Sequence, residues 1–524
     1  MAASPALAFA GEAETANRII DIAYNHGQVV QTVAHLTDQI GPRLTNSPGM
    51  REAERWTQQQ FKAWGLHNVH AEGFEFGRGW WIESSSARMT APRPLALRAI
   101  PIAWTPPTKG TVSAPIIVAP MSDEKHFAEW KGKLAGKIVL VTYPADPKDA
   151  TEAPFQRLTD TQIRDLDTYP VPSTDSEAIR SGLKRRALAL KLDAFLNSEG
   201  AVAWVRMSRR ANGLIDGAGS GYKVGETPTV PGVELSAEDY RRLARLAKVG
   251  PVSIELNNNV HFDDSDRNAY NVVAEIPGSD ANAGYVMAGA HLDSWTAGDG
   301  AADNAAGSAV VMEAARILSS LDVKPKRTIR FVLWSGEEQG LHGSFAYVGK
   351  HLAQRPPRTD PEEFAAGASY ASRVAFPITR LPGFNDMTAY FNVDNGSGKF
   401  RGLYAEGNIA AAPILRDWLK PYSSLGAGTV VAQTTGSTDH VGMARLGLPA
   451  FQFIQDPLDY DSTVHHTNAD TFDHLRPNDL RQASAVMAGV LLAAANSDKP
   501  VPANMLPTQP NESDPFKYKD PTAN

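Results

Sequence analysis

The sequence predicts an α/β fold, a mostly parallel mixed sheet flanked by helices, interrupted by an inserted β-rich module. Three observations carry this. From residue 269 onward, long apolar runs alternate with helical stretches, the pattern of strands buried on both faces beneath crossover helices. Over residues 105–265 the texture changes to short β-rich runs, such as APIIVAP and GKIVLVTY, separated by polar, irregular stretches. A chain of 524 residues also exceeds what one simple core usually holds, so a second unit is expected.

In chain order, the first residues read MAASPALAFAGEAE. Ala8-Phe9-Ala10 before Gly11 has the small-x-small form of a secretory cleavage site, without a basic leader or a full apolar stretch before it. Residues 1–14 are therefore read as a signal remnant or a disordered end, with export, secreted or periplasmic, as the expectation. ANRIIDIAYNHGQVVQTVAHLTDQIG and GMREAERWTQQQFKAWGL repeat apolar residues at helical spacing. Between them GPRLTNSPG is turn-rich, and Ser47-Pro48 supplies a cap and a first-turn proline for the second helix. Residues 15–104 and 266–498 are assigned to the main domain, 105–265 to the insert, and 499–524 to a Pro-rich polar tail without chemistry. In the main domain the strands are AYNVVAEIPG, GYVMAGAHLDS, RTIRFVLWSGEE, MTAYFNVDNG and LPAFQFIQD; ADNAAGSAVVMEAARILSSL and NDLRQASAVMAGVLLAAAN are helices.

Composition removes several function classes. There is no cysteine, which excludes disulfides, thiolate metal sites and a cysteine nucleophile. The net charge of −7 argues against nucleic acid as a partner, because phosphate binding needs a basic face. The longest apolar run near the end, AVMAGVLLAAA from Ala485, falls short of the ~20 residues a bilayer span requires, so no transmembrane segment is expected.

Several predicted strands end on residues that can hold a metal. His291 and Asp293 close one, Glu337 and Glu338 another, and Asp394 a third; Asp303 precedes a helix, and His466 follows the last strand. In open α/β sheets, ligands bind at the carboxyl ends of the strands. Five such regions delivering Asp, Glu or His to one rim are hard to explain as solvation. Adjacent side chains in extended chain point to opposite sides, so Glu337 and Glu338 can take different tasks, one ligating and one moving a proton. His291 and Asp293, two apart, can face the same way, with the carboxylate orienting the second imidazole nitrogen.

The set GAHLDSW, GAADNAAGSA, SGEEQGLHGS, NVDNG and HHTNADT resembles the di-zinc exopeptidases that include zinc aminopeptidases and glutamate carboxypeptidases, most closely the plasma glutamate carboxypeptidase (carboxypeptidase Q) type. LTDQIGPRLTNSPGMREAERW is also similar to that family's opening segment. LAGKIVLV and VPGVELSAEDYRRL resemble the protease-associated domain that many members carry before the first ligand.

The resemblance implies the zinc exopeptidase fold and two Zn2+ ions. Asp303 would bridge them, one ion taking His291 and Asp394 and the other Glu338 and His466. Glu337 would be the general base, Asp293 would hold His291, and a cis peptide would follow Asp303. Glutamate carboxypeptidases have a tyrosine where His465 stands; His465 would take its place beside the oxyanion, or pack. The implied activity is hydrolysis of a terminal peptide bond in peptides or dipeptides, as an aminopeptidase or dipeptidase, with a carboxypeptidase as the alternative. Arg380 and Arg401 are candidates for a substrate carboxylate by residue type alone.

Blander readings stand beside these. His342 is expected at the surface. His440 and Asp439 are read as pocket lining or packing, and Tyr460 and Asp461 as cleft lining. Trp80, Trp81 and Trp334 are expected in cores. GAGSGYKVG lacks a strand–helix context and is read as a loop. Three other classes compete: a binding ectodomain that has lost its metals, a single-zinc glutaminyl cyclase, and the aminoacylase group. The first is disfavoured by the complete ligand set, the second by the presence of His291, and the third by the insert preceding His291. Composition leaves open whether the insert shapes the cleft mouth or mediates a homodimer.

Overall fold

The computed structural model describes residues 5–148, 151–169, 176–226, 228–356 and 377–504. In chain order the strands are β1 (His67–Glu75), β2 (Gly79–Ala91), β3 (Leu95–Ala96), β4 (Ala99–Pro101), β5 (Val112–Val118), β6 (Ile138–Leu140), β7 (Ala203–Met207), β8 (Gly232–Leu235) and β9 (Ser253–Asp263). They continue with β10 (Asn268–Ile276), β11 (Tyr285–His291), β12 (Thr328–Trp334), β13 (Ala353–Gln354), β14 (Thr379–Arg380), β15 (Met387–Asn392), β16 (Phe400–Tyr404), β17 (Thr429–Val431) and β18 (Ala450–Gln455).

The main sheet has the order β1-β10-β12-β11-β15-β18-β16-β17. Its centre is parallel, β12 with β11, β11 with β15 and β15 with β18. Antiparallel pairs lie toward the margins, β1 with β10, β10 with β12 and β16 with β18. Every residue of β11 is buried, as a strand covered on both faces requires. Its side chains alternate between two cores. Val286, Ala288 and Ala290 face the helices Ala306–Ser320 and Pro477–Asn496, while Tyr285 and Met287 pack with Trp334, Tyr347 and Tyr390. The close approach at the middle of β11 leaves no room for a side chain: a Cβ on Gly289 would lie 2.6 Å from Trp334 Nε1 and from the Tyr390 hydroxyl.

A second sheet, β3-β2-β9-β5-β6-β7-β8-β4, draws strands from residues 79–101 as well as from the 105–265 segment. The chain passes between the sheets along one antiparallel ribbon. Glu75 pairs with Asn268 in the first and Gly79 with Asp263 in the second. Phe76, Trp80, Trp104, Tyr222 and Trp295 form a core at this junction. Trp80 and Trp334 are fully buried; Trp81 is half-buried and stacks on His261 at 5.1 Å. The surface expectation for His342 fails. Its ring lies edge-on to Phe76 and Tyr222, and its Nε2 is 3.1 Å from the Tyr222 hydroxyl, so residues remote in sequence cover it.

At the start of the chain a helix spans Pro5–Asn25; residues 1–4 of the expected signal remnant lie outside the described residues. The single helix expected over residues 16–41 is divided: its first part ends at Asn25, and the rest forms Val29–Ala34 and a wider turn, His35–Ile40. Pro48–Ala63 begins as expected, with the Ser47 hydroxyl accepting from Met50 N at 3.2 Å. Among the described residues, no helix is long and apolar enough to cross a membrane. The tail beyond 504 lies outside the described residues.

Candidate metal centre

The carboxyl ends of β11, β12 and β15 meet the start of the helix Ala306–Ser320 and the loop after β18 at one point on the rim. His291 is the last residue of β11. Its Nε2 lies 3.2 Å from Asp303 Oδ1 and 3.3 Å from Asp394 Oδ1. The other oxygen of Asp303 lies 3.1 Å from His466 Nε2, and His466 Nε2 is 2.9 Å from Glu338 Oε2. One carboxylate therefore faces two imidazoles, each with a further acidic neighbour. Donor atoms of His291, Asp303 and Glu338, of His291, Glu337 and Asp394, and of Asp303, His465 and His466 each lie within 4.8 Å of one another. The Asp303–Asn304 peptide is cis.

Local structure aims these groups. His291 Nδ1 bonds to the main-chain carbonyl of Asp293 at 2.9 Å; the Asp293 carboxylate stands farther off, 3.8 Å from that nitrogen. The carboxylate instead accepts from the backbone N–H groups of Glu337 and Glu338 at 3.2 and 3.3 Å and from the Thr45 hydroxyl at 3.0 Å. Asp293 thus ties the end of β11 to the two glutamates at the end of β12. The adjacent glutamates do diverge, Glu338 toward His466 and Asp303, and Glu337 toward His291 and Asp394.

Burial makes the site electrostatically tense. Burial alone would lower the pKa of His291 and of His466. The carboxylates facing them, Asp394 and Glu337 at His291 and Glu338 at His466, override this and raise both well above the usual histidine range. The same contacts hold Asp303 well below the usual carboxylate range against the upward push of burial. Glu337 is raised well above it, first by burial, and Glu338 is pushed up to about 7. Among the described residues, Glu338 Oε1 is buried without a hydrogen-bond partner, a costly state unless a cation meets it. Imidazoles and carboxylates without thiolate suit a divalent ion of the zinc type, so the donor set fits.

His465 is less committed. Its Nε2 is 3.8 Å from Asp303 Oδ2 and its ring stacks on Tyr460 at 4.7 Å. Burial lowers its pKa, with His466 adding to the effect. The cleft beside these residues holds about 400 Å³ and is also lined by Leu341, Ser437, Arg445, Tyr460 and Asp461. Tyr460 and Asp461 thus lie where expected. His440 is fully buried with Nε2 3.2 Å from Glu406; neither it nor Asp439 lines this cleft, and burial pushes Asp439 up to about 8. Arg401 binds Asp456 and the carbonyl of Leu158, and Arg380 lies over the Phe384 ring.

Two supports of the site carry no mark in the sequence. Asp470 accepts from the N–H groups of Ala302 and Asp303 at 2.6 and 3.1 Å, fixing the backbone that carries the shared carboxylate. Arg43, fully buried, donates to the carbonyls of Leu292, Asp299 and Gly300 and so braces the turn between His291 and Asp303. Asp470 stands within the HHTNADT motif, but nothing in a sequence marks a residue that binds only backbone.

The likeness to known proteins agrees with this geometry. Residues 271–491 match the model of peptidase family M28. Carboxypeptidase Q from Bos taurus is 27% identical over 478 residues, covering 90% of this chain and 86% of the relative. Among solved structures, a peptidase M28 precursor from Shewanella amazonensis is 25% identical with a TM-score of 0.65, covering 95% of this chain and 99% of that one. A zinc aminopeptidase from Bacillus subtilis shares the fold, at 20% identity and a TM-score of 0.55, covering 91% and 97%. The matched segment, which is similar to peptidase family M28, contains all the converging residues from His291 to His466, so the family match and the geometry fall on one site.

Proposed function

We propose that this zinc-dependent exopeptidase cleaves the terminal bond of peptides or dipeptides as an aminopeptidase or dipeptidase, using two zinc ions and Glu337 as general base. The observation that carries the reading is Asp303, whose two oxygens stand 3.2 Å from His291 Nε2 and 3.1 Å from His466 Nε2. His291 and Asp394 would hold one ion, Glu338 and His466 the other, and Asp303 both. Zinc there would polarise the scissile carbonyl and acidify the attacking water. Glu337 takes that water's proton as the oxygen attacks the carbonyl carbon. It then returns the proton to the departing amine nitrogen as the C–N bond breaks. Its burial favours holding a proton between those steps. His465, 3.8 Å from the shared carboxylate, would donate to the oxygen that gains charge.

Asp461 lines the cleft beside His465 and gives a free α-ammonium an acidic partner, which favours the aminopeptidase or dipeptidase reading. Arg445 lines the same cleft and favours the alternative, a carboxypeptidase of the glutamate carboxypeptidase type. The 105–265 segment is proposed as a protease-associated module, and the Ala8-Phe9-Ala10-Gly11 pattern supports a secreted or periplasmic location. The test is a panel of free, N-acetylated and C-amidated dipeptides. Loss of cleavage on N-acetylation supports an aminopeptidase; loss only on C-amidation selects the carboxypeptidase. Failure of the zinc-loaded protein on every substrate returns the chain to a binding role.

A further inference from the structure

The loop over 456–470 carries His465 and His466, yet its fastenings come largely from the segment between the two halves of the main sheet. On one flank Gln156 N donates to the Leu458 carbonyl at 2.7 Å, and Ser462 Oγ donates to the Pro154 carbonyl at 2.5 Å. On the other flank, the stretch after β7 makes a reciprocal pair: Ile215 N donates to Asn468 Oδ1 at 2.8 Å, and Asn468 N donates to the Ile215 carbonyl at 3.0 Å. Between these flanks reaches Arg210. Its Nη1 donates to the Asp461 carbonyl at 2.5 Å and its Nη2 to the His465 carbonyl at 3.3 Å.

The bond to the His465 carbonyl bears directly on the neighbouring residue. His466 has φ = 63°, the left-handed region that a residue with a Cβ enters at a cost and keeps only when its surroundings hold it there. The His465 carbonyl belongs to the peptide that leads into that φ, so fixing the oxygen fixes the plane from which the His466 side chain departs. A guanidinium is a planar fork that can serve two acceptors at once. Here the two carbonyls belong to residues four apart, at the ends of one turn.

We infer that Arg210 is a positioning residue for His466: its guanidinium, supplied by the second sheet's segment, locks the 461–465 turn so that the imidazole stays against Asp303 and Glu338. This rests on the proposed reading of His466 as a ligand. Without Arg210 the turn relaxes toward ordinary dihedral angles and the imidazole leaves the shared carboxylate. The ion held by Glu338 and His466 is then weakened selectively, while that held by His291 and Asp394 keeps its donors on rigid strand ends.

The test compares the full chain with R210A and R210Q, using R209A as control, since among the described residues the exposed Arg209 makes only a distant ion pair, to Asp216 at 3.7 Å. Zinc stoichiometry and affinity are measured by competition with a chromogenic chelator, and hydrogen exchange over 459–467 is followed in metal-stripped protein. Wild type and R209A should bind two ions alike. Both Arg210 variants should keep one tight ion and lose affinity for the other by about 10–100-fold, the usual cost of removing a residue that orients a ligand, with faster exchange in the turn. A folded Arg210 variant that binds both ions with wild-type affinity overturns the inference alone. A wild-type chain that binds no zinc overturns the ligand assignment beneath it.

Discussion

The two walls of the metal centre hold similar chemistry by different means. One wall comprises His291, Asp303, Glu337, Glu338 and Asp394, presented by the ends of three adjacent strands and one helix start. His291 and Asp303 are almost completely buried, at 1% and 4% exposure. The other wall is the loop with His465 and His466, whose side chains are 35% and 31% exposed and whose fastenings cross to a different sheet. Strand ends are positioned by a ladder of hydrogen bonds along the entire sheet. A loop is positioned only by what touches it. On the proposed reading, the difference teaches that the sheet would fix where metal is held, while the second unit would fix whether the set of ligands is complete.

This contrast can be broken at its hinge. Asp303 is the group both walls share, so Asp303→Ala should produce the largest effect, loss of both ions from the purified protein by elemental analysis and activity below detection. A variant that retains two ions would show the walls to be independent. Glu337→Gln should sharpen the contrast by separating chemistry from binding. Both ions stay, and turnover falls by about 10²–10⁴-fold, the range expected for a lost general base. Wild-type rates on the dipeptide panel would remove Glu337 from that role.

The smallest effect concerns the junction between the walls' supports, where His342 packs against Phe76 and Tyr222. Burial lowers its pKa from the ordinary 6.5 to about 4. Between those values the unfolded chain binds the proton that the folded chain excludes, so stability rises with pH across that window. It is complete above the unfolded value and lost as pH falls through the folded one. The contribution is about 3 kcal/mol from that single group. His342→Asn should flatten the acid limb of the unfolding free energy between pH 4 and 6.5, read by denaturant titration at several pH values. An unchanged slope would mean that the junction opens before the imidazole titrates.

Much of this molecule was legible in its residues. Continuous apolar runs marked β11, β12, β15 and β18, because strands covered on both faces must be apolar throughout. The Ser47-Pro48 start of a helix was legible because caps are local. The converging residues His291, Asp303, Glu337, Glu338, Asp394 and His466 could be named because metal chemistry restricts side chains to a few types, and a sheet rim restricts where they can stand. Antiparallel margins were not legible, since strand direction depends on partners far away in sequence. Nor were the burial of His342, the backbone role of Asp470 or the five-carbonyl grip of Arg43. Each is an ordinary residue whose meaning comes from neighbours that the linear order does not reveal.

By itself the sequence determined the kinds of element, the identity of the groups that can bind a metal, and the exclusion of thiol chemistry, because these depend on side-chain type and local spacing. Only the tertiary structure decided that Asp303 stands between His291 and His466, which are far apart along the chain. It likewise decided that Asp293 ties down two backbone amides and that Arg210 reaches the turn before His466. Distances between residues remote in sequence are set by packing and by the satisfaction of buried polar groups, and both are properties of the folded whole.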